Sequence, residues 1–208
     1  MPQFLFTGPA DAETTILLAH GAGAPMDSLW MDAMAGQLSM RNIRTARFEF
    51  AYMAARRSGQ RKPPPRAETV ISEYGEAVGM LAGRGRLVIG GKSMGGRVAS
   101  MIAGDLFRER KIAGLVCLGY PFHPPGSPEK LRTAHLASLD CPTLICQGSR
   151  DPFGTKEEVG AYRLSSRIAV HWLMDGDHDF KPRKASGLTL EANIAEAAGR
   201  IAAWAAKL

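Results

Sequence analysis

The sequence predicts an α/β fold with a mostly parallel central sheet flanked by helices. Three observations carry this. Short apolar, β-branched runs alternate with amphipathic helical segments over most of the 208 residues. The two long Pro-rich loops each follow a strand end, as ligand-site loops do in open parallel sheets. A glycine-rich strand–turn–helix stretch lies near the middle, at residues 87–106. A chain of this length buries a substantial core as one domain, read here as residues 1–208.

Residues 4–6 read as a short edge strand, stopped by Gly8, Pro9 and Asp11. Residues 14–19 are β-branched and apolar and read as a buried strand ending in His20-Gly21-Ala22-Gly23-Ala24. Asp27 or Ser28 supplies the cap for a helix to about Met40, with Leu29, Trp30, Ala33, Met34 and Leu38 at helical spacing. Residues 43–48 form the next strand. The triple proline at 63–65 excludes helix and inner strand from the basic loop 56–66. A helix over 67–81, a strand at 87–89 and a helix over 97–106 follow. Then come a strand at 112–118, a rigid loop through Tyr120, Phe122 and His123, and a short helix over about 128–137. The chain closes with a strand at 143–146, a short helix at 156–162, a strand at 168–173 and a helix over 190–206. That last helix carries Leu190, Ile194, Ala197, Ile201 and Trp204 on one face.

The stretch Gly91-Lys92-Ser93-Met94-Gly95 sits between a buried strand and a helix, the context of a nucleophile elbow. Glycines on both sides of Ser93 permit a turn tight enough to hold its hydroxyl at the apex. Composition alone yields roughly 0.15 matches to G-x-S-x-G in a chain with 23 glycines, so the flanks add most of the specificity. The amide of Met94, at a helix N-terminus, is placed to donate to an oxyanion. The second donor is expected from the amide of Ala22 or Gly23 in the turn after the second strand.

A serine hydroxyl needs a base, and the base needs a carboxylate. Of five histidines, His178 sits in the polar turn Asp175-Gly176-Asp177-His178-Asp179 after the last strand, where it can reach the elbow. His171 lies within a strand and His135 on a short helix, where packing explains them. His20 is placed to pin the glycine turn. The acid is expected at Asp151, beyond the end of the strand at 143–146, with Asp177 as the local alternative. Asp140 falls at the opposite end of that strand. His20, Tyr120, Phe122 and His123, on loops after strand ends, are the candidate substrate-binding residues.

Composition narrows the partners. The mean charge and hydropathy are those of a soluble globular chain, no run is long enough to span a bilayer, and no basic-then-apolar leader begins the sequence. A cytoplasmic location is therefore expected, consistent with three cysteines lacking metal-ligand spacing. The net charge of +6 is concentrated in one loop containing Arg56, Arg57, Arg61, Lys62 and Arg66. No aromatic residue alternates with these charges, so nucleic acid is not the expected partner. The loop reads as a solvated segment or as a basic rim attracting an anionic substrate.

Together these segments resemble the α/β-hydrolase superfamily. More narrowly, they resemble a small bacterial family of predicted hydrolases related to eukaryotic hydrolase-like proteins, including a subunit of a chromatin-modifying complex. The resemblance implies the α/β-hydrolase fold, with Ser93 as nucleophile, Asp151 as acid and His178 as base. It implies neither metal nor cofactor. The chain is short, which leaves minimal or no cap domain. The serine nucleophile departs from the cysteine of the dienelactone-hydrolase branch. The function expected is hydrolysis of a small carboxylic ester or related acyl compound, with peptides second. The alternative is a non-catalytic binding or scaffold protein on the same fold.

Overall fold

The computed structural model describes residues 2–60 and 62–208; Arg61 of the basic loop lies outside them. Seven strands form one sheet: β1 (Leu5–Thr7), β2 (Thr14–Ala19), β3 (Arg44–Phe48), β4 (Arg86–Lys92), β5 (Gly114–Leu118), β6 (Thr143–Gly148) and β7 (Ile168–Leu173). Their order is β1-β3-β2-β4-β5-β6-β7. Only β1 runs antiparallel, pairing with β3 at one edge. The helices are α1 (Leu29–Ser39), α2 (Ala51–Arg57), α3 (Ile71–Leu81), α4 (Met94–Arg108), α5 (Lys156–Gly160) and α6 (Leu190–Ala205). Among the described residues no helix is long and apolar enough to cross a membrane.

Strand periodicity builds the two halves of the core. Ile16, Leu18, Val88, Val116, Leu118, Leu144 and Cys146 face α1 and α6 on one side. Leu17, Ala19, Ile89, Leu115, Cys117 and Ile145 face α3 and α4 on the other. Successive side chains thus alternate between two buried layers, which is why the strands read as continuous apolar runs rather than polar–apolar alternation. All three cysteines are buried and unpaired.

The chain steps outward from β2 to β3 in one direction and from β4 through β7 in the other. The switch falls between β2 and β4, which are neighbours in register from Thr14↔Arg86 to Ala19↔Gly91. In open α/β sheets the crevice at such a switch, beyond the carboxyl ends of the strands, is the favoured ligand position. Here it lies between His20 and Ser93.

Three segments differ from the sequence expectation. Residues 51–57 form helix α2, although the sequence assigns 51–55 no element and places 56–57 in the basic loop from which helix is excluded. Its seven residues are too few for a periodic stripe, yet Ala, Met and Arg favour helix, and Glu73 caps it by accepting from the Ala51 amide at 2.6 Å. Conversely, 128–137 holds no α-helix, only a 3-10 turn over Ala134–Ser138. The predicted helix at 67–81 begins as a 3-10 turn, Ala67–Val70, before α3.

Candidate active site

Ser93 leaves β4 with φ 50° and ψ −113°, in a backbone region side chains rarely occupy. Such a conformation costs about 1–3 kcal/mol and persists only where surroundings enforce it. Its amide donates to the Leu118 carbonyl at 2.9 Å, and its own carbonyl accepts the Arg97 amide at 3.0 Å. The flanking glycines are sterically required. A Cβ at either Gly91 or Gly95 would lie 2.4 Å from the Ala19 carbonyl oxygen. The elbow therefore rests backbone-to-backbone on the end of β2.

Three side chains far apart in sequence meet here. The Ser93 hydroxyl lies 2.8 Å from His178 Nε2. His178 Nδ1 lies 2.8 Å from Asp151 Oδ2. An ionised carboxylate only accepts, so the Nδ1 proton belongs to His178 and Nε2 is left to accept from the serine. Asp151 is fully buried, and its charge is met by three donors. These are the imidazole, the Phe153 amide at 2.9 Å and Gln147 Nε2 at 2.8 Å. The Phe153 ring lies against the imidazole, centroid to centroid at 4.2 Å. Asp177, the local alternative to Asp151, instead accepts the amides of Asp179 and Lys181, both at 2.9 Å, and holds the turn that carries His178.

Two residues the sequence reading passed over complete this arrangement. Gln147 accepts from the Tyr120 amide at 2.6 Å, which fixes its amide orientation and turns its NH₂ toward Asp151. Lys92, inside the elbow motif, is buried and donates to the His178 carbonyl at 2.8 Å, with Asp179 Oδ1 at 3.1 Å. Burial lowers the pKa of its ammonium and Asp179 acts in the opposite direction. The motif position of Lys92 was visible in the sequence. Its contact with a loop 86 residues away was not.

Met94 opens α4, where a first-turn amide has no intrahelical acceptor. Among the described residues the amides of Met94, Ala22 and Gly23 have no hydrogen-bond acceptor. Two hollows meet at Ser93. One, of about 770 Å³, includes Ala22, Met94, Arg97, Pro121, Arg132 and Phe153 in its lining. The other, of about 320 Å³, is lined on the opposite side by residues including Gly21, Ala22, Gly23, Trp30, Lys92 and His178.

The four candidate substrate-binding residues sit behind these hollows, which corrects the expectation from their loop positions. His20, Tyr120 and Phe122 have no exposed surface and His123 almost none. His20 donates from Nδ1 to the Gly21 carbonyl at 2.6 Å and accepts the Phe50 amide on Nε2 at 3.2 Å, so it pins the glycine turn. Tyr120 holds Gln147, while His123 Nε2 lies 3.4 Å from Glu158 Oε2. Of that rigid loop only Pro121 reaches the larger hollow. A second serine–histidine contact, Ser100 with His135 at 2.8 Å, is partly buried beside α4, and among the described residues no carboxylate is bonded to that imidazole. Among the described residues no group of three or more His, Cys, Asp or Glu could hold a metal ion.

Burial lowers the pKa of His20 below its ordinary 6.5, outweighing its backbone hydrogen bond. The unfolded chain therefore takes up this proton more readily than the folded one. Stability from this group is therefore complete above pH of about 6.5 and declines as pH falls through the folded-state value. His135 is shifted the same way, by burial and then by Arg97. Urea midpoints should fall between pH of about 6.5 and about 5, and His20→Gln should flatten that slope. An unchanged slope in His20→Gln would remove His20 as its source.

A profile described as alpha/beta hydrolase domain matches residues 12–206. The chain belongs to the alpha/beta hydrolase family. Solved structures agree on the fold. This alpha/beta hydrolase is similar to an alpha-beta serine hydrolase homologue from Coxiella burnetii at 20% identity and a TM-score of 0.70, covering 95% of this chain and 90% of that one. It is similar to a dienelactone hydrolase from Anabaena variabilis at 19% identity and 0.72, covering 98% and 96%. It is also similar to Est1E from Butyrivibrio proteoclasticus, solved with ferulic acid bound, at 13% identity and 0.70, covering 99% and 96%. The hydrolase sheet carries no added cap domain among the described residues.

Proposed function

We propose that this alpha/beta hydrolase cleaves a small carboxylic ester or related acyl compound through an acyl-enzyme. The observation that carries the reading is the pair of 2.8 Å hydrogen bonds linking Ser93, His178 and Asp151 at a strained turn. Ser93 Oγ attacks the carbonyl carbon as His178 Nε2 takes its proton. Asp151 keeps the imidazole in the correct tautomer and stabilises its charged form. The tetrahedral oxyanion is received by the amides of Met94 and Ala22. Ala22 is preferred to Gly23 because Ala22 borders both hollows that meet at Ser93, whereas Gly23 borders one. His178 returns the proton to the leaving alkoxide, and the acyl group stays on Ser93. Water then repeats the attack with His178 as base.

Esters rank ahead of peptides because Est1E was solved with ferulic acid bound and another similar structure is that of a Paleococcus ferrophilus monoacylglycerol lipase. A binding module has no use for a strained serine hydrogen-bonded to a histidine that is itself oriented by a buried carboxylate. The test is a fluorophosphonate probe. Mass spectrometry should find one adduct, on Ser93, and none on folded Ser93→Ala; undiminished labelling of that variant would sink the assignment.

Lys92 acts on this chemistry at one remove, as a positioning residue. Lys92→Met keeps an unbranched apolar stem but removes the bond to the His178 carbonyl and the ammonium that lies over the Trp30 ring. Ester turnover should fall about tenfold in kcat, about 1.4 kcal/mol, with KM little changed. Equal kcat in the variant would show that the His178 turn holds without it.

A further inference from the structure

The larger hollow beside Ser93 is cationic, and its charge is incompletely compensated. Arg97 stands one helical turn beyond the serine on α4 and is mostly buried. One of its terminal nitrogens reaches Glu68 at 2.5 Å, but Glu68 is 54% exposed and its charge is screened by water. Arg97 Nε is buried and, among the described residues, has no hydrogen-bond partner. Arg132 also lines the hollow and, among the described residues, has no carboxylate within salt-bridge distance. Its backbone is fixed by the Phe122 carbonyl at 2.7 Å and by the Tyr120 hydroxyl at 3.0 Å, so the side chain starts from a rigid base. Arg66 adds a third guanidinium at the exposed rim. The lining thus holds three guanidiniums against one carboxylate. Arg132 is held below the ordinary arginine pKa by burial and then by repulsion from Arg97, as expected of two cations sharing a hollow.

Two other cations of the basic loop are engaged away from this hollow. Arg57 is paired with Asp27 at 2.7 Å and Glu49 at 2.6 Å. Arg56 donates to the Lys62 carbonyl at 2.9 Å and lies over Tyr52. Among the described residues, the cations beside the serine therefore come mainly from α4 and the loop after β5. The hollow on the other side of Ser93 includes Trp30 and Met31 together with Lys92 and Asp179, which pair with each other at 3.1 Å.

We propose that Arg97 and Arg132 form an oxyanion subsite, so that the ester cleaved at Ser93 carries a carboxylate or phosphate-type group seated between them. Guanidinium forks match either group with paired hydrogen bonds. The proposal rests on the hydrolase reading for its reaction but not for its binding site. Attack at the ester carbonyl is unchanged; the anion is a handle that fixes the substrate and leaves with whichever fragment bears it.

The experiment compares p-nitrophenyl esters with acyl chains of equal length ending in a methyl, a carboxylate or a phosphonate. The anionic members should exceed the methyl ester about tenfold in kcat/KM at low salt, with the advantage shrinking as salt is added. The better of the two anions identifies the group. Arg132→Met should bring the anionic-to-neutral ratio close to one, and Arg132→Lys should retain part of it. Turnover of the methyl ester with no anionic preference would overturn the subsite and leave the hydrolase reading intact. If no ester is turned over and Ser93 takes no probe, that reading falls instead. Calorimetry with glutarate and inorganic phosphate then decides the subsite: binding weakened at least tenfold by Arg132→Met upholds it, and absent or Arg132-independent binding overturns it.

Discussion

Asp151→Asn should lower ester turnover about 10⁴-fold while the protein stays folded. The bonds around this residue say why the loss is so large for a change of one atom. Oδ1 accepts the Phe153 amide and Oδ2 accepts both His178 Nδ1 and Gln147 Nε2. A carboxamide has one oxygen. If that oxygen keeps Phe153, the new NH₂ faces the imidazole and forces its proton onto Nε2, where it can no longer accept from Ser93. The same NH₂ then opposes the NH₂ of Gln147, whose orientation is fixed by Tyr120. If the oxygen turns the other way, the Phe153 amide loses its acceptor. Ser93→Ala and His178→Ala should each cost more, about 10⁶-fold, and the double variant little more than either, because the two groups act in one proton transfer. Steady-state and burst kinetics on a single activated ester check all four proteins. A loss below about tenfold for Asp151→Asn would mean that another group orients the imidazole.

The layered architecture was legible because burying a parallel sheet on both faces leaves apolar runs that local pattern can detect. Strand ends were read short at β4 and β6 because Gly90, Gly91 and Gly148 carry no apolar side chain, although they continue the ladder. Ser93, Asp151 and His178 could be picked out since each stands just past a strand end in a turn, and chain order sets which strand ends. What local sequence does not encode is the distance a side chain travels inward. Tyr120, Phe122 and His123 follow a strand like the others, yet their loop folds back over the core and leaves Pro121 at the surface of the hollow. Lys92 matters through a partner 86 residues away, Gln147 through the Tyr120 amide 27 residues away that turns it toward Asp151, and Arg132 through a shared cavity; local sequence announces none of these. In the basic loop, Arg57 pairs with Asp27 and Glu49 and Arg56 donates to the Lys62 carbonyl, while Arg66 stands at the rim of the hollow beside Ser93.

The strand that delivers the elbow should be intolerant of a single methyl group. A Cβ at Gly90 would sit 1.9 Å from the Val116 carbonyl oxygen, a backbone atom of the adjacent strand. β4 cannot step aside. It is hydrogen-bonded to β2 on one flank, with Leu18 opposite Gly90, and to β5 on the other, with Val116 opposite it. It cannot tilt freely either. The buried Tyr74 hydroxyl accepts the Gly90 amide at 2.9 Å and lies 2.6 Å from its carbonyl, so any rotation that relieved the clash would strand polar groups in the core. Gly90→Ala is therefore expected to cost more than about 4 kcal/mol, a large share of the stability of an ordinary domain. A melting temperature lower by about 10 °C or more, or loss of soluble protein, is the expected result. Gly79→Ala is the control. That glycine lies on the exposed face of α3 with open space where its Cβ would go, and removing backbone freedom there should stabilise by about 0.5–1 kcal/mol. If Gly90→Ala melted within a few degrees of the parent, the packing of β4 against β5 would have to be looser than the 1.9 Å approach requires, and the rigid seat argued for Ser93 would lose its main support.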